Sequence, residues 1–318
     1  FDSYAGESFY SDKMDRVVSE LDARGLLKES DGAQIVDLSE WDMPPALIRK
    51  KDGSTLYITR DIAAAVYRKE SYGFFKNLYV VASQQNLHFQ QWIKIIELMG
   101  YAWAKDCVHI PFGLVSLEDG VMSTREGRVV FLEDVLTRAV DKTREIIIEK
   151  NVNTDNVDET ARQVGIGAVI FNELANSRIK DYVFSWDKVL NFEGETGPYV
   201  QYSHARAAGV LRKAEDAGTS VTAAVDMAYL TSDSAYELAM LIYNFPGAIM
   251  DAGEKYEPSI LTRHIVDIAQ TFNRFYHDEH ILVENEAERD AKLALVSAAK
   301  QVLKNGLTLL GVEAPERM

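Results

Sequence analysis

One cysteine, Cys107, occurs in 318 residues. That excludes an intrachain disulfide and any CxxC or CxxH zinc site, and no protein-held metal is expected. Thiol usage this sparse fits a reducing compartment, so a cytoplasmic protein is expected. No run of 18 or more apolar residues occurs, and nothing in the sequence is expected to span a membrane. An initiator methionine and a signal-peptide pattern are also missing, because the sequence begins Phe1-Asp2-Ser3-Tyr4. Such a start is read as that of a fragment. Internal repeats and low-complexity segments are absent.

Positive charge is in deficit. The sequence holds 34 Lys and Arg against 49 Asp and Glu, a net charge of −15. Residues 197–318 contain 17 acidic and 11 basic residues, a net of −6, which leaves −9 for residues 1–196. Contacts to phosphates need Lys and Arg. Composition therefore argues against a nucleic-acid partner, and any RNA-binding surface has to be a local basic patch on an acidic body. The apolar share of 47% is that of an ordinary globular protein. The length is enough for two or three domains, each with its own core.

Periodicity predicts an amphipathic helix over 11–29, with Met14, Val17, Val18, Leu21 and Leu26 on one side. Strands are predicted at 34–38, 46–49, 56–58, 78–82, 108–110 and 114–116. Helices are predicted at 61–69 and 89–100 between them. Strands alternating with helices over 46–117 indicate an α/β layer with parallel pairing. From Phe131 onward the pattern is helical, over 131–149, 157–180, 198–216, 233–251, 259–279 and 286–305. Residues 194–198, which include Gly194 and Pro198, read as a hinge between two helical parts.

Three segments carry chemistry. In Tyr57-Ile58-Thr59-Arg60-Asp61 a strand is predicted to run into a helix with Thr59 as its N-cap. Strand ends of open α/β sheets are where ligands bind. A carboxylate there can grip a guanidinium through two parallel hydrogen bonds, and a phenol four residues earlier adds a bond or a ring face. By itself, however, Asp61 reads first as an acidic residue favouring a helix N-terminus. Ser83-Gln84-Gln85-Asn86-Leu87-His88 sets side-chain amides and an imidazole behind a buried strand. They could position an amino or carboxylate group, or Asn86 could merely cap a helix and His88 be a surface group. The loop 121–128 carries Ser123, Thr124, Arg125 and Gly127, a composition that suits a polyphosphate and also many solvated loops. In the helical part, Tyr199, Tyr202, Tyr276 and His277 lie near Arg206, Arg212 and Arg274. Unpaired RNA bases stack on such planes, although aromatic residues more often pack helix against helix.

Taken in order, these residues resemble one family. Gly53-Ser54-Thr55-Leu56-Tyr57-Ile58-Thr59-Arg60-Asp61-Ile62-Ala63-Ala64-Ala65 is similar to the arginine-site signature of arginyl-tRNA synthetases. Met122-Ser123-Thr124-Arg125-Glu126-Gly127 resembles their version of the second class I signature, usually written KMSKS. The run Gly197-Pro198-Tyr199-Val200-Gln201-Tyr202-Ser203-His204-Ala205-Arg206 resembles the opening of their anticodon-binding domain, and residues 309–318 resemble the family's last residues.

The resemblance implies an α/β plus all-α fold. Residues 1–192 would be the second half of a Rossmann-type class I catalytic domain with connecting helices, and residues 193–318 an all-helical, DALR-type anticodon-binding domain. It implies ATP-dependent activation of L-arginine to arginyl-adenylate and transfer to the 3′ end of the tRNA, by an enzyme that is a monomer at full length. Tyr57, Asp61 and Gln85 would bind arginine. Met122, Ser123, Thr124, Arg125 and Gly127 would bind ATP and its Mg2+, with Ser123, Thr124 and Arg125 as the catalytic group. Tyr202, Arg206, Tyr276 and Met318 would meet the anticodon loop.

Two departures qualify this expectation. Val121 and Thr124 stand where the KMSKS lysines would be, so Arg125 is the nearest cation. No His-x-Gly-His segment occurs in the 318 residues. The resemblance places that signature upstream, together with a further tRNA-contacting domain, and this stretch alone is expected to be inactive. A non-catalytic tRNA-binding module built on the helical part is the alternative reading.

Overall fold

The computed structural model describes every residue except 118–130, 151–153, 155, 192–193 and 223–224, together with the side chain of Asp187. Contacts divide the chain into two compact units, Phe1–Gly113 and Leu114–Met318.

The first unit opens with helix α1 (Met14–Ala23), which buries Val17, Val18 and Leu21 at helical spacing. The helix stops at Ala23 rather than running on to residue 29. Gly25 follows with φ +68°, a left-handed conformation that costs glycine little. Strand β1 (Leu27–Ser30) then pairs antiparallel with β2 (Ala33–Val36), and β2 pairs with β3 (Ala46–Arg49). Asp31 and Gly32 join β1 to β2, both at positive φ. A two-residue hairpin matched to strand twist requires that conformation.

Helix α2 (Tyr57–Tyr72) follows. Strand β4 (Asn77–Ala82), helix α3 (Asn86–Leu98) and strand β5 (Cys107–Phe112) complete a parallel pair in register from Asn77↔Cys107 to Ala82↔Phe112. The unit's core holds Ile48, Ile62, Trp92, Ile95, Ile96 and Met99, all fully buried.

Residues 56–58 are not a strand. Leu56 is the helix N-cap, with no side-chain bond, and Tyr57 opens the helix. Thr59 lies inside α2, fully buried, and its hydroxyl donates to the Ile48 carbonyl at 2.9 Å. That bond fixes the first turn of α2 against β3, so tertiary packing overrides the β-branched character of the segment.

The second unit begins with β6 (Val115–Leu117), which pairs in parallel with β7 (Tyr182–Phe184). The remaining elements are α4 (Leu132–Glu149), α5 (Val157–Ala175), the short α6 (Trp186–Val189), α7 (Gly197–Asp216), α8 (Asp233–Lys255), α9 (Pro258–Asp278) and α10 (Glu286–Leu309). Helix starts follow their caps. Asn156, Thr196, Ser232 and Asn285 each accept a backbone N–H from the first turn of α5, α7, α8 and α10. Pro198 sits in the first turn of α7, where its missing N–H costs nothing. The predicted hinge residues thus lead into α7. Phe272, Phe275, Ile265, Leu293, Val296 and Leu303 form the centre of the bundle.

Two predictions follow from packing. At the contact of α5 with α4, a Cβ on Gly165 would meet the backbone of Ala139 and Val140 at 2.8 Å, and a helix backbone cannot yield. Gly165→Ala should therefore lower stability by about 1–3 kcal/mol, read from denaturant unfolding. On β4, Leu78 and Val80 are 46% and 67% exposed while Tyr79 and Val81 pack inward. Parallel strands are normally covered on both faces, and burying such side chains gains about 1.5–3 kcal/mol each. The chain should associate with rising concentration in light scattering, and the pair Leu78→Lys and Val80→Lys should suppress this. A clean monomer before substitution would sink the expectation.

Candidate functional site

Each unit carries one cluster. In the first, Tyr57 and Asp61 lie one turn apart on α2 and so share a face. Tyr57 is 65% exposed, with the Arg60 guanidinium 5.6 Å from its ring centre. Arg60 itself pairs with Glu7. Asp61 falls in the second turn of α2, past the free N–H groups of the helix end. Its Oδ2 lies 2.5 Å from Nε2 of His88, the third residue of α3. The imidazole meets Phe89 edge-on at 6.0 Å, and Phe89 stacks on His109 at 4.1 Å, whose Nε2 bonds the Val81 carbonyl. Packed rings behind His88 therefore support the imidazole that meets the carboxylate. Gln85 is exposed in the single turn Ser83–Gln85 that leads into α3. The structure thus joins Asp61 to His88, sets Tyr57 on the same helix face as Asp61, and leaves Gln85 three residues before His88. Asn86 does not cap α3; it is the first residue of the helix, and Gln85 is the N-cap without a side-chain bond.

Met122, Ser123, Thr124, Arg125 and Gly127 lie outside the described residues. Among the described residues no group of three or more His, Cys, Asp or Glu could hold a metal ion.

The second unit brings Tyr202, Arg206, Tyr276 and Met318 to one cavity of about 570 Å3. The Arg206 guanidinium lies 4.6 Å from the Tyr202 ring centre and 5.2 Å from that of Tyr276. Its Nη2 donates to the Tyr202 hydroxyl at 3.1 Å and its Nη1 donates to Asn273 Oδ1. Asn273 in turn donates to Tyr199 Oη at 3.0 Å and to Ser203 Oγ at 2.7 Å. The amide that orients the guanidinium is thus itself held. Sequence reasoning missed Asn273, whose role shows only once its partners Tyr199 and Ser203 are in place.

Arg206, Arg212, Lys213 and Arg317 line the cavity against only Glu215 and Asp216, a local basic patch on an acidic chain. The other residues considered do not join the cluster. Tyr199 packs against the core, Arg274 pairs with Glu237, and His277 pairs with Asp278.

A carboxylate presented beside paired parallel strands, followed by a helical bundle with a tyrosine–arginine cluster, is the layout of a class I aminoacyl-tRNA synthetase. Residues 1–186 match the family model described as tRNA synthetases class I (R), catalytic domain, and residues 200–318 match that of the DALR anticodon binding domain. Curated relatives include the arginine–tRNA ligases of Halothermothrix orenii and Clostridioides difficile. They are 61% and 63% identical over all 318 residues, which span 56% of each relative. The chain thus spans about half the length of the relatives it matches. Among solved structures, Thermus thermophilus arginyl-tRNA synthetase superposes with a TM-score of 0.87 at 27% identity, over 96% of this chain and 58% of that one. The Plasmodium falciparum arginyl-tRNA synthetase shares the fold, with a TM-score of 0.83 at 24% identity, over 99% of this chain and 54% of that one. The chain belongs to the class I arginyl-tRNA synthetase family.

His204, on α7, is fully buried, and its Nδ1 donates to the Pro315 carbonyl at 2.9 Å. Burial pushes the imidazole below its ordinary pKa, against the opposing pull of that carbonyl and of Glu316. An unfolded histidine takes up its proton near about pH 6.5, whereas the folded one does so only at lower pH. Between those two values the unfolded chain binds more protons, so stability is full above about pH 6.5 and falls as the pH drops. Denaturant midpoints at pH 7 and 5.5 should show this loss, and His204→Asn should reduce it.

Proposed function

We propose that this chain is the arginine-recognising and anticodon-reading part of an arginine–tRNA ligase. In that enzyme, ATP and L-arginine form arginyl-adenylate, and the arginyl group passes to the 3′ end of the tRNA. The observation that carries the reading is the Asp61 carboxylate, one helical turn from Tyr57 and held through Oδ2 by His88. Its side chain is 43% exposed, so it can still receive a planar fork of N–H donors. Lysine or citrulline would leave such an acceptor unmatched. Gln85 contacts the amino-acid head, and Tyr57 offers its ring and hydroxyl to the guanidinium.

In the same reading, the loop holding Met122, Ser123, Thr124, Arg125 and Gly127 binds the ATP phosphates, and Mg2+ arrives with them. Ser123, Thr124 and Arg125 stabilise charge during transfer. Tyr202, Arg206, Tyr276 and Met318 receive the anticodon loop, where rings and a guanidinium plane suit unstacked bases. A boundary near residue 192, a monomeric full-length enzyme and a cytoplasmic location complete the proposal. Among the described residues no helix is long and apolar enough to cross a membrane.

Two measurements test it. In the full-length enzyme, Asp61→Ala should lower kcat/KM for arginine by on the order of 10²–10³-fold, as expected when one partner of a hydrogen-bonded charge pair is removed. Near-normal arginylation would sink the assignment. The 318-residue chain alone should show no arginine-dependent pyrophosphate exchange with tRNA present, because it lacks a His-x-Gly-His segment. The alternative, a module that binds tRNA without catalysis, predicts that the full-length protein also fails to arginylate.

A further inference from the structure

We propose that Gln201 and His204 are positioning residues that pin residues 311–318 along α7, so that Arg317 and Met318 form a wall of the Tyr202–Arg206–Tyr276 cavity. The proposal rests on reading that cavity as a tRNA-binding surface. Its geometric basis stands apart from that reading.

Three side chains of α7 donate to three main-chain carbonyls of this segment. Gln201 Nε2 reaches the Glu313 carbonyl at 2.8 Å, His204 Nδ1 the Pro315 carbonyl at 2.9 Å, and Arg212 Nη1 the Glu316 carbonyl at 2.9 Å. Positions 201, 204 and 212 fall on one face of a helix. The acceptors are backbone atoms, so the track recognises the path of the segment rather than its side chains. Both Gln201 and His204 are fully buried, and departure of the segment would strand their donors without acceptors.

A second feature of the packing agrees. The other N–H of the Gln201 amide donates to the Gln163 carbonyl on α5 at 3.1 Å. A Cβ on Gly167 of α5 would meet Gln201 Nε2 at 2.8 Å and Val312 Cγ1 at 2.9 Å. Only glycine leaves room there for both the amide and the segment. Val312 is 2% exposed and part of the bundle core. At the surface, Glu313 pairs with Arg162 and Glu316 with Lys300. Those exposed pairs guide the segment without holding it. On α7, Tyr202 and Arg206 sit beside these donors in sequence, so one helix both holds the segment and supplies the facing wall of the cavity.

The test combines tRNA binding by the 318-residue chain at fixed low salt with hydrogen exchange of the backbone amides of residues 312–314 and 316–318. Gln201→Met and His204→Leu should speed exchange across this segment and weaken binding about tenfold, the scale of losing a central contact. His204→Asn keeps a donor near the Nδ1 position and should restore both. Arg212→Gln frees the third carbonyl from the exposed end of the track, so it stays informative if the buried substitutions unfold the bundle. It should speed exchange at residues 316–318 alone. Unchanged exchange in every variant overturns the pinning. Fast exchange with tRNA affinity within twofold of the unaltered chain overturns the link to the cavity. If the unaltered chain binds no tRNA, the reading of the cavity fails, and exchange still decides whether Gln201 and His204 pin the segment.

Discussion

A carboxamide with no exposed surface has to find acceptors inside the protein for both of its N–H bonds, and Gln201 finds them on segments 150 residues apart. The α5 carbonyl of Gln163 takes one and the carbonyl of Glu313 takes the other. Leaving either unmet would cost about 1–3 kcal/mol, which ties α5, α7 and the last residues of the sequence into one arrangement. Gly167 makes the approach sterically feasible. The amide's oxygen has no hydrogen-bond partner among the described residues, a cost borne to keep the two N–H bonds aimed. Gln201 shares α7 with Tyr202 and Arg206, so the helix that this amide ties down also presents the cavity's ring and guanidinium.

Charge acts on a shorter scale than composition suggests. At physiological ionic strength a charge is screened over about 8 Å, so a net of −15 does not decide what a cavity attracts. What decides is the partner of each cation. Arg162, Arg144 and Arg274 all face carboxylates. Arg206 instead has the neutral oxygens of Asn273 and Tyr202 and the faces of two tyrosines. Neutral acceptors fix the plane of a guanidinium and leave its charge uncompensated. That is the arrangement a phosphate or a base can use, and it explains how an acidic chain can present a basic surface.

Much of this was legible in the sequence, where helical periodicity, caps and turn residues agree. The long helices α4, α5 and α7 to α10 follow from local chemistry, whereas β1 does not, because the helical period of residues 11–29 runs through it and only its pairing with β2 makes it a strand. The start of α2 did not, because Leu56-Tyr57-Ile58 has strand-like side chains and its helix is anchored by Thr59 reaching Ile48, a contact that local pattern cannot show. The tyrosine–arginine cluster could be named from the order of motifs. Asn273 could not, because an asparagine inside a helix carries no signal until its partners Ser203 and Tyr199 are known. His88 was visible only as a polar residue near a strand end, and the fold supplies its partner from 27 residues away.

Asp61 shows how geometry alters the weight of a sequence argument. From the residues alone, an acidic side chain at a helix start has an ordinary cause, the positive end of the helix dipole. That effect fades beyond the first turn, and α2 begins at Tyr57, which puts Asp61 in the second turn. The ordinary cause therefore loses its force here. The partner its carboxylate has is an imidazole from another helix at 2.5 Å. An imidazole anchored on packed rings restricts where the carboxylate can turn. With 43% of the side chain still open to solvent, the constraint orients an acceptor without satisfying it, which is what a recognition group for a planar cation needs.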